Sequence, residues 1–240
     1  MRAGDYTGLP INAAARQKAL TWDATVLSEP ERQAQPHPAQ YSSRGPGPNL
    51  RITRVLDPVT EVVIAYELAG YYGRADRTIW MDGRPRPPDY APHTNMGFSL
   101  GEWHGDILTV TTTHLKKEYY RRSGAPSSDL TTLVEHYIRH GNLLSHVMII
   151  TDPVYLTEPF VQSEEFVAME RGNTNWLYNC EYVMEVPMDK NKVPYYLPGQ
   201  NPFIQDFAKK FGLPFEAVIG GAPTTYPDYL PTLERLTKPK

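Results

Sequence analysis

The chain predicts a mainly β, single-domain protein, an antiparallel up-and-down β-barrel or curved sheet, lipocalin-like in architecture, with an extended N-terminal arm and short terminal helices. Three observations lead there. Between Leu50 and about Pro187, short β-branched or aromatic runs alternate with turn residues at the spacing of a meander. Sixteen Tyr suit pleated, half-buried surfaces. About nine strand-like runs succeed one another with no helical crossover, which disfavours an α/β fold.

The elements follow in order. Asn12 followed by Ala13, Ala14, Ala15, Arg16, Gln17, Lys18, Ala19 and Leu20 predicts a short helix, because Asn can accept the free N–H groups of a first turn. From residue 28 to 49, Pro30, Pro36, Pro38, Pro46 and Pro48 work against regular helix and central strand, so residues 1–49 are expected to form a helix and an extended arm. Residues 50–187 hold the meander, with strands expected at 51–56, 61–68, 77–81, 97–102, 107–113, 132–139, 143–151, 160–167 and 177–186. Asp57-Pro58, Gly70, Asp82-Gly83, His104-Gly105-Asp106, Gly141-Asn142, Asp152-Pro153 and residues 171–174 are its turns.

Residues 128–141 satisfy two patterns. Ser128, Asp129, Leu130, Leu133, Val134, Tyr137 and Ile138 fit a capped helix, yet Gly141-Asn142 sits where it would close a hairpin with residues 143–150. A helical turn at 128–131 followed by a strand is preferred. Residues 188–240 read as a helical appendage packed on the barrel. Its surest piece is 201–212, with Asn201 as cap, Pro202 in the first turn, late cations and a terminating Gly212.

Charge and composition remove several functions. The chain carries 24 Lys+Arg against 27 Asp+Glu, a net charge of -3 with no block of like charge, so no cationic footprint for nucleic acid exists. Apolar runs such as 62–65 and 147–150 are far shorter than the roughly 20 residues of a membrane-spanning helix, and a soluble protein is expected. A single cysteine allows no internal disulfide and no thiolate metal cluster. The first twenty residues lack the apolar core of a secretory leader. No P-loop, dinucleotide fingerprint, nucleophile elbow, HExxH or EF-hand loop occurs.

What remains is an uneven distribution of polar groups. His93, His104, His114, His136, His140 and His146 lie within 54 residues, interleaved with Lys116, Glu118, Arg121, Arg122 and Glu135. On a strand over 107–114, Leu108, Val110, Thr112 and His114 share one face, and the apolar members mark it as the inner one. An inward His114 is a candidate acid or base at neutral pH, with His93 or Glu135 as its complement. A core histidine bonded to a backbone carbonyl is the plainer alternative. His136 and His140 could share a metal only on a helix, because four residues of strand span about 13 Å. No metal site is therefore expected.

The connection from Lys116 to Asp129 reads either as a lid whose Arg121 and Arg122 bind an anion by forked hydrogen bonds or as a solvated loop. Tyr155 could orient a ligand, and Trp103 could supply a stacking wall. Glu158 is expected at the surface, and Cys180 as a buried small hydrophobe.

Several stretches also carry a resemblance. Pro36-His37-Pro38, Arg44-Gly45-Pro46, Arg77-Thr78-Ile79-Trp80-Met81-Asp82-Gly83-Arg84, Gly97-Phe98-Ser99-Leu100-Gly101-Glu102-Trp103-His104-Gly105-Asp106, Thr113-His114-Leu115-Lys116, Arg121-Arg122-Ser123-Gly124-Ala125-Pro126 and residues 152–159 together resemble a large family of uncharacterised bacterial proteins. The resemblance implies a bacterial β-rich protein, periplasmic or secreted if a leader was removed and otherwise cytoplasmic. Similar chains often carry a Cys just ahead of the Pro-His-Pro piece, where Gln33-Ala34-Gln35 stand here, so Cys180 lacks that partner.

These observations lead to an expected cofactor-independent enzyme that holds a small aromatic, polyketide- or terpenoid-like molecule in a barrel cavity and transfers protons, as a lyase, hydratase, cyclase or isomerase. His114, His93 and Glu135 are its candidate catalytic groups; Lys116, Arg121, Arg122, Tyr155 and Trp103 are its candidate substrate contacts. The alternatives are a non-catalytic small-molecule-binding or periplasmic accessory protein, and a His-based metal-dependent hydrolase. The expected partner is a small-molecule ligand, with no nucleic acid and no membrane span. Self-association into a homo-oligomer stays open.

Overall fold

The computed structural model describes residues 4–23, 37–42, 50–69, 76–121, 123–169 and 195–237. The expected strand at 177–186, with Trp176, Cys180 and Arg122, lies outside the described residues. The elements in chain order are helices α1 (Ala13–Thr21) and α2 (Ala39–Ser42), then strands β1 (Arg51–Leu56), β2 (Val63–Ala69), β3 (Arg77–Trp80), β4 (Phe98–His104), β5 (Ile107–Thr113), β6 (Glu118–Tyr119), β7 (Pro126–Ser127), β8 (Thr132–His140), β9 (Leu143–Thr151) and β10 (Phe160–Val167). Helices α3 (Asp206–Phe211), α4 (Phe215–Ile219) and α5 (Leu230–Thr237) follow.

Eight strands form one curled half-barrel sheet in the order β1-β2-β3-β4-β5-β8-β9-β10, and β6 pairs with β7 in a small separate ribbon. The fold is mainly β, as expected. Every neighbouring pair in the large sheet is antiparallel except β3 and β4, which run parallel with Ile79 opposite Ser99. The long connection after Trp80 explains the exception: it carries the chain back to the end from which β3 started before β4 begins. Up-and-down order therefore breaks once.

The hairpin expectations rest on glycine chemistry. Gly105 and Gly141, both at φ 60°, open the two-residue turns joining β4 to β5 and β8 to β9, a conformation that costs glycine least. The segment that fitted both helix and strand is strand β8, entered through a turn in which the Thr131 N–H donates to the Ser128 carbonyl at 3.2 Å. Proline content misled locally, since one helical turn, α2, follows Pro38. There the Tyr41 N–H donates to the Pro38 carbonyl at 2.9 Å, and proline is tolerated in a first turn.

Alternation decides the faces. On β5 the buried residues are Leu108, Val110 and Thr112; on β8 they are Leu133, Glu135 and Tyr137; on β9 they are His146, Met148 and Ile150. The buried side of the sheet thus sets Thr112, Glu135 and His146 among apolar residues. One core cluster joins Leu133, Met148, Ile150 and Phe160 to the N-terminal residues Tyr6, Leu9 and Ile11 and to α1 through Ala15 and Ala19. The other joins Leu68, Ile79, Leu108, Val110 and Tyr137.

Asn12 caps α1 as expected, its Oδ1 accepting from the Ala15 N–H at 3.0 Å. The N-terminal segment is tied to both the sheet and the C-terminal helices. The Asn12 N–H donates to Tyr155 O at 2.9 Å, the Thr157 N–H to Pro10 O at 2.8 Å, and the Ala222 N–H to Leu9 O at 2.8 Å. Helix α3 is shorter than expected, because residues 202–205 form turns before it; Gly212 ends it at φ 63° as anticipated. No helix among the described residues is long and apolar enough to cross a membrane.

Candidate functional site

Three strands bring a buried charged cluster onto the concave face. Arg77 opens β3 on the same side as Ile79, Glu135 lies on β8 opposite Val110 and Met148, and His146 lies on β9 opposite Tyr137. Arg77 is 7% exposed, Glu135 0% and His146 1%. Burying charges this deeply is tolerated only when they pair.

The pairing is lopsided. Glu135 Oε1 accepts from Arg77 Nη2 at 2.5 Å, from His146 Nε2 at 2.9 Å and from the Tyr137 hydroxyl at 3.2 Å. Glu135 Oε2 is equally buried and has no hydrogen-bond partner. Arg77 also donates to the Tyr137 hydroxyl at 3.0 Å and to Thr112 Oγ1 at 3.4 Å, and Thr112 meets Ser99 Oγ at 2.8 Å. The His146 ring stacks on Tyr137 with centroids 4.4 Å apart and planes 12° apart, which fixes its orientation.

Burial alone would raise the Glu135 carboxyl, but the Arg77 guanidinium and then His146 outweigh it and hold the group well below the usual carboxylate range. Glu135 is therefore an ionised, acceptor-only group at neutral pH. Because that carboxylate only accepts, His146 Nε2 is the donor in the bond between them. A histidine oriented by a buried carboxylate can take a proton and have the resulting positive charge stabilised.

The other candidate groups lie elsewhere. His114 follows the last residue of β5 in the left-handed region at φ 59°, so strand alternation does not govern its side chain. Its Nε2 donates to Pro88 O at 3.0 Å, its Nδ1 meets Thr113 Oγ1 at 2.9 Å, and the residue is 8% exposed. His93 lies beside it, ring centroids 5.2 Å apart, with Nδ1 bonded to Leu115 O at 2.8 Å. Glu135 pairs with Val110, four residues before His114, a separation of about 13 Å along a strand. The structure thus brings His93 and His114 together and joins Glu135 to His146 instead.

The expected substrate contacts do not converge. Lys116 is exposed, and Trp103 is 53% exposed at the hairpin end of β4 with its ring edge-on to Tyr66. Tyr155 packs against the first core cluster and accepts a hydrogen bond from Lys18. Arg121 donates to Thr7 O at 3.0 Å and lies over the Phe160 ring. Glu158 is exposed, as expected, and accepts from the Tyr226 hydroxyl. His136 faces the other side of β8, with Nδ1 at 3.1 Å from Thr109 Oγ1. Among the described residues no group of three His, Cys, Asp or Glu side chains is placed to hold a metal ion.

A second buried carboxylate, Asp152, accepts six hydrogen bonds, from the Tyr120 hydroxyl at 2.6 Å, the Ser128 N–H and hydroxyl both at 2.8 Å, Thr131 Oγ1 at 3.1 Å, and the N–H groups of Val154 and Tyr155 at 2.8 and 3.2 Å. With both oxygens saturated it anchors the turn after β9.

Arg77, Tyr137 and His146 were not among the candidates, yet each left a signal. Arg77 shares parity with Ile79, Tyr137 with Leu133, and His146 with Met148 and Ile150. A polar residue on the apolar parity of a strand points into the core. Comparison with known proteins yields no match to any family model, curated protein or solved structure. The fold and the cluster define the class: a β half-barrel with a carboxylate–histidine–arginine centre buried on its concave side.

Proposed function

We propose that the protein is a cofactor-independent enzyme that holds a small organic molecule against the concave face of its half-barrel and moves a proton, with His146 as the base. The observation that carries this reading is the solvent-excluded hydrogen bond from His146 Nε2 to Glu135 Oε1 at 2.9 Å. His146 Nδ1 takes a proton from an acidified C–H or O–H of the substrate. Glu135 stabilises the imidazolium that forms, and Arg77 balances the Glu135 charge in the resting state. Lyase, hydratase, cyclase and isomerase reactions all use such a transfer.

His93 and His114 lie side by side away from this cluster, with ring centroids 5.2 Å apart. Both ring nitrogens of His114 are already bonded within the protein, and this supports His146 over His114. The burial of every member of the cluster favours the rival reading, a carrier that binds the same molecule without transforming it.

Proton NMR in deuterated water separates the two. Wild-type protein should catalyse exchange of acidic C–H positions in a panel of small ketones, β-diketones and phenols, and His146→Gln should slow that exchange by about 10²- to 10⁴-fold. Exchange that is equal in both proteins, or absent across the panel, removes the catalytic reading.

A further inference from the structure

We propose that Glu135 Oε2 and Gln162 Nε2 are the two poles of a binding site for the hydroxyl group of an uncharged ligand, a phenol, enol or alcohol. The proposal rests on the reading above, because it names what meets the same buried centre.

Glu135 Oε2 is a buried acceptor with no donor, and Gln162 Nε2 is a buried donor with no acceptor. The sheet sets them on either side of one residue. Met148 of β9 pairs with Glu135 of β8 on one flank and with Gln162 of β10 on the other, so all three side chains leave the same face of the sheet. Two strand spacings separate the Glu135 and Gln162 backbones, about 10 Å, and the side chain between them is the buried Met148, an unbranched thioether that can shift to admit one small group. Gln162 belongs to the concave parity of β10, which begins at buried Phe160.

The chemistry of the poles selects the occupant. A hydroxyl donates to the carboxylate oxygen and accepts from the amide N–H with a single atom. An ether oxygen can only accept, leaving Oε2 unsatisfied. A carboxylate also only accepts, and it sets a second negative charge against Glu135 Oε2. A phenolic or enolic hydroxyl here also lies two residue pairs from His146, which sits opposite Tyr137 and Glu164 in the next row on the same face.

Phenol, anisole and benzoate test the proposal as matched probes, by saturation-transfer NMR titration of the full chain. Phenol should bind saturably, with anisole and benzoate at least about tenfold weaker. Gln162→Leu should weaken phenol about tenfold while leaving the melting temperature unchanged or raised, because Nε2 bonds nothing in the free chain. This substitution is preferred to Glu135→Gln, which would also disturb Arg77. No phenol binding, equal binding of phenol and anisole, or phenol binding indifferent to Gln162→Leu overturns the proposal and leaves the poles to a buried water only. A large loss of melting temperature in Gln162→Leu does so as well. Binding is read without turnover: phenol binding without proton exchange leaves the hydroxyl site standing and removes the enzyme, and His146-dependent exchange without phenol binding does the reverse.

Discussion

Glu135 and His146 stand on adjacent strands, two residue pairs out of direct register and so on the same face, and His146 Nε2 lies 2.9 Å from Glu135 Oε1. The diagonal lets Tyr137, directly opposite His146, stack on the imidazole while its hydroxyl reaches the same carboxylate oxygen. Three strands thereby share one buried negative charge, and the stability of the sheet becomes coupled to it.

Breaking that charge pair from one side should be costly. Arg77→Met leaves the Glu135 carboxylate buried without its main counter-charge, and urea unfolding should show a loss of about 3 to 5 kcal/mol. The double substitution Arg77→Met with Glu135→Leu should recover most of it, since two apolar groups of similar volume can replace a buried pair nearly neutrally.

Acid should weaken the fold through the same residue. The Glu135 carboxyl is depressed from 4.5 to about 2, so its contribution is fully present above about 4.5 and is lost as pH falls toward 2. Unfolding free energy measured between pH 2 and 7 should rise with pH across that window. In Glu135→Gln the rise should be shallower; an unchanged slope would place the acid sensitivity elsewhere.

Glu118 should act with the opposite sign. Burial pushes its carboxyl up to about 7 against the pull of Lys116, so its ionisation above that value costs stability that is intact below 4.5. Glu118→Gln should therefore gain melting temperature relative to wild type at pH 8 and gain little at pH 4.5. Thermal melts of both proteins at the two pH values check this.

Asp152 should prove structural. Removing its carboxylate orphans the buried Tyr120 and Ser128 hydroxyls, and Asp152→Ala should lower the unfolding free energy by about 3 kcal/mol. The Asn12 N–H bonds Tyr155 O in the turn Asp152 anchors, so hydrogen exchange at Asn12 should accelerate in the variant.

Much of this architecture was legible in the chain. Paired turn residues such as Gly105-Asp106 and Gly141-Asn142 mark hairpins because few residues adopt their backbone angles at low cost, and the apolar parity of residues 107–113 marks the inner face of β5. Local chemistry also capped α1 with Asn12. The candidate site was legible only in part. Glu135 stood out, but its partners sit 58 residues before it and 11 after it, and spacing along a chain carries no record of such meetings.

Sequence by itself determined the eight strands of the large sheet, most of the turns between them and which residues of β5 face inward, since steric preference and period-two burial act within a few residues; it did not mark the small β6–β7 ribbon. Tertiary structure alone decided that β3 and β4 run parallel, that His114 leaves its strand in a left-handed turn and bonds a loop carbonyl, and that Arg77, Glu135 and His146 meet. Those outcomes depend on which strands become neighbours and how tightly the sheet curls, and burial makes the meeting compulsory: a charge taken out of water must find its partner wherever the fold has carried it.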